Sequence, residues 1–288
     1  MTIAQVILVA MQTSIWLVVL SLGLKATPHD LTYVLRRPFL LARSLLAMGV
    51  VMPLLAILLV RLMDLPSPAE VALIALALAP VPPLLPRKQS KAGGDQSYAI
   101  GLLVAASLIA MVWIPLVVEL VDPYVRAPLQ VTAGSVFRLL AFTLLTPLVA
   151  GVVVRLLAPG LAQRLAGLVG SAATILLLLS LLPVLVIKWR VIFAQAHDGA
   201  LLALAIFVIV GLVAGYLIGG PDEDNRSVLA LATACRHPGV AIALAHMNFP
   251  GEPSIAPIVL LYLLTSAVIT IPFVAWLKRR RRSVAARL

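Results

Sequence analysis

Arg236 and His237 stand side by side in Cys235-Arg236-His237-Pro238-Gly239, a short polar break inside an apolar stretch running from Ser227 to Met247. At about 1.5 Å per residue that stretch is long enough to cross the core of a bilayer. A charge at the centre of such a span costs roughly 2.5–3.5 kcal/mol on insertion scales, and proline and glycine there interrupt the helix. A chain that keeps both in one place uses that place. Arg236 brings five donors in a fixed fork and a permanent positive charge. Two arrangements satisfy it. One is a substrate carboxylate or sulfonate, held bidentately where geometry permits. The other is a set of backbone carbonyls freed by the break, or snorkelling toward the interface. Asp and Glu do not occur at this depth in the neighbouring apolar stretches, since Glu70, Asp95 and Glu119 fall near the ends. Helix N-termini at a break add positive potential that also favours an anion.

His237 is the histidine at mid-span depth. Either it titrates near neutrality and couples to protons, or it hydrogen-bonds a carbonyl freed by the break. The candidate substrate-binding set is Arg236, His237, Thr233, Pro238 and Gly239, with Ser97, Gln96, Asn248 and Thr13 as small polar residues able to line a pathway. Enzymatic patterns are missing: there is no HExxH, no pair of intramembrane aspartates and no GxSxG with a matching histidine. Neither a catalytic set, a metal site nor a bound cofactor is expected.

The elements that position these residues must be membrane helices. Of 288 residues, 62% are hydrophobic and 11% charged, with a mean hydropathy of +1.11, far beyond what a soluble domain uses. Apolar runs of roughly 20 residues recur along the whole chain without period-2 alternation, which reads as an all-α polytopic membrane protein and not a barrel. The net charge of +11 sits in short loops and in the tail Lys278-Arg279-Arg280-Arg281-Arg282. It reads as topology and lipid-headgroup contact, with no nucleic-acid partner expected. One cysteine, Cys235, excludes an internal disulfide. The N-terminal apolar stretch lacks a basic leader and reads as a retained helix.

Nine spans are expected, at about 3–24, 38–62, 69–85, 97–121, 136–157, 165–187, 200–218, 227–247 and 254–277. Placing the basic tail (278–288) in the cytoplasm puts sixteen Lys and Arg residues on that side and five on the other, with Arg236 inside a span. The expected protein is therefore a multi-pass protein of the cell (inner) membrane, N-terminus outside and C-terminus cytoplasmic. Two spans are irregular. The third follows Pro66-Ser67-Pro68, stays apolar for about eleven residues, and runs into Pro80-Val81-Pro82-Pro83-Leu84-Leu85-Pro86, which cannot continue a regular helix. The eighth carries the Arg236–Gly239 break. Interrupted segments at matching positions point to a transporter site between inverted repeats. Here the repeats would cover about 1–122 and 134–277 of one integral membrane domain.

At this point the residues resemble a known family. Ser21-Leu22-Gly23-Leu24-Lys25, then Asp30-Leu31 and Arg36-Arg37-Pro38, are similar to the opening of the bile acid:sodium symporters, which read M-G-L-x-L, D-[FL] and a basic-Pro pair. Gly94-Asp95 resembles the family's K-G-D, and Pro238-Gly239-Val240-Ala241-Ile242-Ala243-Leu244-Ala245 resembles its broken ninth helix. The resemblance covers nearly the whole chain except the family's first helix. It implies a panel and a core domain, two broken helices crossing in the core, an organic anion bound beside the crossing and two sodium ions behind it. The family's E-x-G-x-Q-N falls on Ala232, Ala234, Arg236 and His237. Its P-G-G-T-x-S-N stretch becomes Pro82-Pro83-Leu84-Leu85-Pro86-Arg87, and its next hydroxyl ligands become Ala99 and Leu103. The implied function is secondary transport of a small or amphipathic organic anion. The coupling ion stays open between Na⁺ and H⁺, because apolar or cationic side chains hold the sodium-ligand positions. Alternatives are an ion-independent anion exporter and a non-transporting sensor or structural subunit on the same fold. A thiolate-transporting family in the same broader superfamily implies a metalloid reading for Cys235, whose acidity an adjacent Arg236 would increase. A buried structural cysteine is the other reading. The basic loop from Arg87 to Lys91 reads as a topology signal or as a cytoplasmic gate.

Overall fold

The protein is seen in a computed structural model that describes residues 3–83, 94–121, 132–249 and 251–285. The regular elements among them are all helices. In chain order they are α1 (Ile3–Lys25), α2 (Pro28–Thr32), α3 (Pro38–Leu62), α4 (Ser67–Leu78), α5 (Gln96–Val121), α6 (Gly134–Leu157), α7 (Pro159–Ala194), α8 (Ala200–Ile218), α9 (Glu223–Ala234), α10 (Pro238–Asn248) and α11 (Ile255–Ala285).

Among the described residues, eight helical stretches are long and apolar enough to cross a membrane, with α9 and α10 together forming one. The expected third span differs: it is the twelve-residue helix α4, about half a crossing. Its end follows from the sequence. Backbone N–H groups at positions 80, 82 and 83 would continue the helix, and prolines there have none. Residues 84–93, with the basic loop and Pro86, lie outside the described set.

Helix starts are set by local chemistry. Thr27 and Asp30 form a reciprocal capping box at α2, and the Asp222 side chain accepts from the Asp224 N–H at α9. Within α3 the backbone widens into a π turn over Leu46–Val51, and α6 does the same over Ala141–Leu145. Both turns lie just before a proline, Pro53 and Pro147. In α3, Pro53 cannot donate to the carbonyl of Gly49, as an α turn requires, nor to that of Met48, as a π turn requires. The Trp113 indole N–H of α5 takes the Gly49 carbonyl at 3.1 Å. Met48 has a different partner, described below.

The helices form two groups. Helices α1, α6 and α7 pack on one another, and α3, α4, α5 and α8–α11 pack around the α9–α10 break. Small residues allow the closest approaches. Gly151 of α6 lies so near α1 that a Cβ there would stand 2.5 Å from the Leu20 carbonyl oxygen, and one on Gly215 of α8 would stand 2.6 Å from the Ala230 Cα of α9. Burial follows this order. In α9–α10, 78% of the most apolar window is covered by protein, against 17% in α7. The broken helix is therefore the centre of the molecule and α7 a flank.

Candidate functional site

The two interruptions meet. Chain leaving α4 reaches Pro80, and chain leaving α9 reaches His237, whose backbone N–H donates to the Pro80 carbonyl at 3.0 Å. From α11, the Tyr262 hydroxyl closes the second break: it accepts the Arg236 N–H at 2.6 Å and donates to the Ala234 carbonyl at 2.8 Å. One side chain thus takes up a donor and an acceptor that the interrupted helix leaves over.

The guanidinium of Arg236 is buried and turns its terminal nitrogens to backbone. Nη2 donates to the Met48 carbonyl at 2.8 Å and Nη1 to the Ala79 carbonyl at 3.3 Å. The sequence explains why both oxygens are open. Pro53 cannot cap Met48, and Pro83 cannot cap Ala79. Of the two arrangements open for Arg236, the structure contains the one with freed carbonyls. Among the described residues Arg236 has no ion pair, and its terminal nitrogens face carbonyl dipoles.

His237 is the N-cap of α10. Its Nδ1 accepts the Val240 N–H at 3.2 Å. An accepting Nδ1 carries no proton, so the ring is neutral and its proton sits on Nε2. His237 Nε2 and Arg236 Nε are buried without a partner among the described residues. Both are donors.

Both residues border a cavity of about 150 Å³. Its walls are Met11, Ile15 and Val18 of α1, Leu177 and Leu181 of α7, Pro82 and Pro83 beyond α4, the break from Cys235 to Gly239, and Leu260, Tyr262, Leu263 and Ser266 of α11. It lies between the two helix groups and is almost entirely apolar apart from the break, Tyr262 and Ser266. Of the sequence-derived candidates, Arg236, His237, Pro238 and Gly239 border it. Thr233 does not: it is buried and bonded to the Leu229 carbonyl within its own helix. The pathway candidates also lie elsewhere. Ser97 bonds Asp30, Asn248 bonds Leu244, and Thr13 and Gln96 are exposed. Cys235 is a free, buried thiol 3.7 Å from the Ser266 hydroxyl. Ala99, Leu103, Ala232 and Ala234 are packed in the apolar core, so none offers a hard side-chain ligand. Sequence reading missed Tyr262, whose signal is a phenol in the middle of an apolar span. It also missed Met48 and Ala79, which prolines five and four positions on, respectively, could have flagged.

A second polar cluster ties α2 and the segment before α3 to the start of α5. Asp30 accepts from the Ser97 hydroxyl at 2.5 Å and from the Thr27 N–H at 2.8 Å. Asp95 accepts the Ser97 N–H at 2.8 Å and the Tyr33 hydroxyl at 2.5 Å, and Arg37 stacks 4.0 Å over the Tyr33 ring. Burial pushes the Asp30 carboxyl up, but the hydrogen bonds from Ser97 and Thr27 outweigh it and hold the group below its ordinary range. Burial and the hydrogen bond to Asp95 push the Tyr33 phenol up to about 12.

Residues 13–195 match the sequence model of the Sodium Bile acid symporter family. A protein of Bacillus subtilis (strain 168), named as the uncharacterized sodium-dependent transporter YocS, is 24% identical over 242 residues, which cover 81% of this chain and 72% of that protein.

Proposed function

This chain belongs to the sodium bile acid symporter family and is a membrane transporter, and we propose that it carries a small organic anion bound in the cavity at the Cys235–Gly239 break. One observation carries this reading: two residues that border the apolar cavity, Arg236 and His237, each hold a buried donor without a partner, and Arg236 has no ion pair among the described residues. A buried donor without a partner costs about 1–3 kcal/mol, and an acceptor on a ligand recovers it. The guanidinium charge acts on that ligand through a medium of low dielectric. The His237 Nε2–H supplies the directed hydrogen bond, because the cap it makes with Val240 fixes the ring's tautomer and orientation. Cavities of about 150 Å³ accept a benzene-sized body, so the apolar walls suit a short aliphatic or single-ring carboxylate or sulfonate.

Transport requires that the site open to either side in turn. The placement between two helix groups, with α4 and α9–α10 as the interrupted segments, supports rocking of one group against the other around the crossing. The lysine and arginine asymmetry supports an inner-membrane protein with its N-terminus outside and its basic tail in the cytoplasm. A reporter fused after Leu288 should be active in the cytoplasm, and a periplasmic signal would reverse the orientation.

The substrate class is tested by thermal unfolding of the purified protein with sodium salts of acetate, butyrate, benzoate, benzenesulfonate and taurocholate. Stabilisation by one of the small anions is the expected result. Stabilisation by taurocholate alone would show that the cavity does not define the substrate.

A further inference from the structure

The contacts of Arg236 carry more than a capping role. Carbonyl oxygens from two elements, Met48 in the π turn of α3 and Ala79 at the end of α4, converge on one buried cation. Ala79 stands at the negative end of the α4 dipole. Converging backbone carbonyls at an unwound helix are also the arrangement by which membrane proteins hold dissociable monovalent cations. Here the cation is part of the chain. It hangs from the other broken helix, one residue from the His237 N–H to Pro80 carbonyl bond that joins the two breaks.

We infer that the Arg236 guanidinium is the resident cation of the crossing, filling a carbonyl site that would otherwise take a dissociable monovalent cation, so that neither the folded crossing nor the transport cycle requires sodium. A tethered charge holds α3, α4 and the α9–α10 break in one arrangement without an ion from solution. Its positive charge stays with the protein when the anion leaves, so this site cannot couple an ion gradient to transport. The consequence for transport rests on the anion-transporter reading above; the cation site itself does not.

The test compares wild type, Arg236→Ala and Arg236→Lys by thermal unfolding in sodium, potassium and choline chloride at equal ionic strength, each with and without millimolar guanidinium. Wild type should unfold at the same temperature in all three salts. Arg236→Ala should unfold several degrees lower and regain part of the loss when guanidinium or sodium is added, and Arg236→Lys should fall between the two. A sodium-specific stabilisation of wild type overturns the inference, as does an Arg236→Ala protein that no cation stabilises more than it stabilises wild type. If Arg236→Ala does not fold, the wild-type and Arg236→Lys series decide. Uptake of labelled benzoate into proteoliposomes separates the two proposals. Equal rates with sodium or potassium outside are expected, and sodium-dependent uptake contradicts the resident cation while leaving the transporter reading intact. No uptake with any cation contradicts the choice of substrate and leaves the unfolding series to judge the site.

Discussion

At the scale of single residues, His237 has two separable nitrogens: Nδ1 caps α10, and Nε2–H is a buried donor without a partner among the described residues, in a residue that borders the cavity. Asparagine is among the best N-cap residues but places no donor at the Nε2 position. The His237→Asn protein should therefore unfold close to the wild-type temperature. Its anion affinity, read from ligand titration of the unfolding temperature, should fall about ten- to a hundredfold, the equivalent of one hydrogen bond to a charged group at about 1.5–3 kcal/mol. His237→Ala removes the cap as well and should lose about 1 kcal/mol of stability besides. Unchanged affinity in His237→Asn would remove the ring from the site. Arg236 and His237 were legible in the sequence because polar side chains in an apolar span stand out. Their partners were not, because carbonyls carry no side-chain signature and become available only where prolines and tertiary packing leave them bare. Thr233 misled for the opposite reason: a threonine in a membrane helix can satisfy its hydroxyl on the preceding turn, as it does with Leu229.

At the scale of elements, the broken helix is central because α8 lies flat against α9. Gly211 and Gly215 of α8, with Gly219 at its C-cap, are spaced so that no side chain stands between the two backbones where α9 passes. A Cβ on Gly215 would meet the Leu229 carbonyl oxygen at 2.5 Å and the Ala230 Cα at 2.6 Å, both of them backbone that cannot rotate away. Gly215→Val should lower the unfolding temperature by several degrees, consistent with an overpacking cost of about 1–3 kcal/mol or more. Because α9 carries the break, the variant should also lose anion binding. Valine at Gly134, which has open space around it, is the control and should change neither property. Equal effects at both positions would contradict the account of the α8–α9 contact. The spans of the fold were readable from hydropathy and from basic residues at their ends. The short α4 was readable from its prolines. That the two interruptions bond to each other was not, since it depends on how α4 and α10 pack.

At the scale of the whole molecule, the cluster of Asp30, Asp95, Ser97 and Tyr33 joins α2 and the chain before α3 to α5, and gives stability a dependence on pH. The Tyr33 phenol is raised in the folded state to about 12 from an ordinary 10.0. Its contribution is therefore complete below about pH 10 and is lost as pH rises toward about 12. The Asp30 carboxyl is held below its ordinary 3.8. Its contribution is present above about pH 4 and is lost as pH falls through the depressed folded value. The difference in unfolding temperature between wild type and Tyr33→Phe should be constant from about pH 6 to 9 and shrink above about 10. A difference that holds into strong alkali would mean that the phenol's proton does not contribute to the cluster.

The central claim is that the cavity beside the Arg236–His237 break is the binding site of an anion transporter, and the most direct measurement is uptake of a labelled small organic anion by proteoliposomes containing wild-type or His237→Asn protein. The account predicts saturable uptake by wild type of at least one anion among acetate, butyrate, benzoate and benzenesulfonate, with a half-saturating concentration raised about tenfold or more in His237→Asn. Uptake no faster than in protein-free vesicles for all of them, or uptake that His237→Asn leaves unchanged, would contradict it.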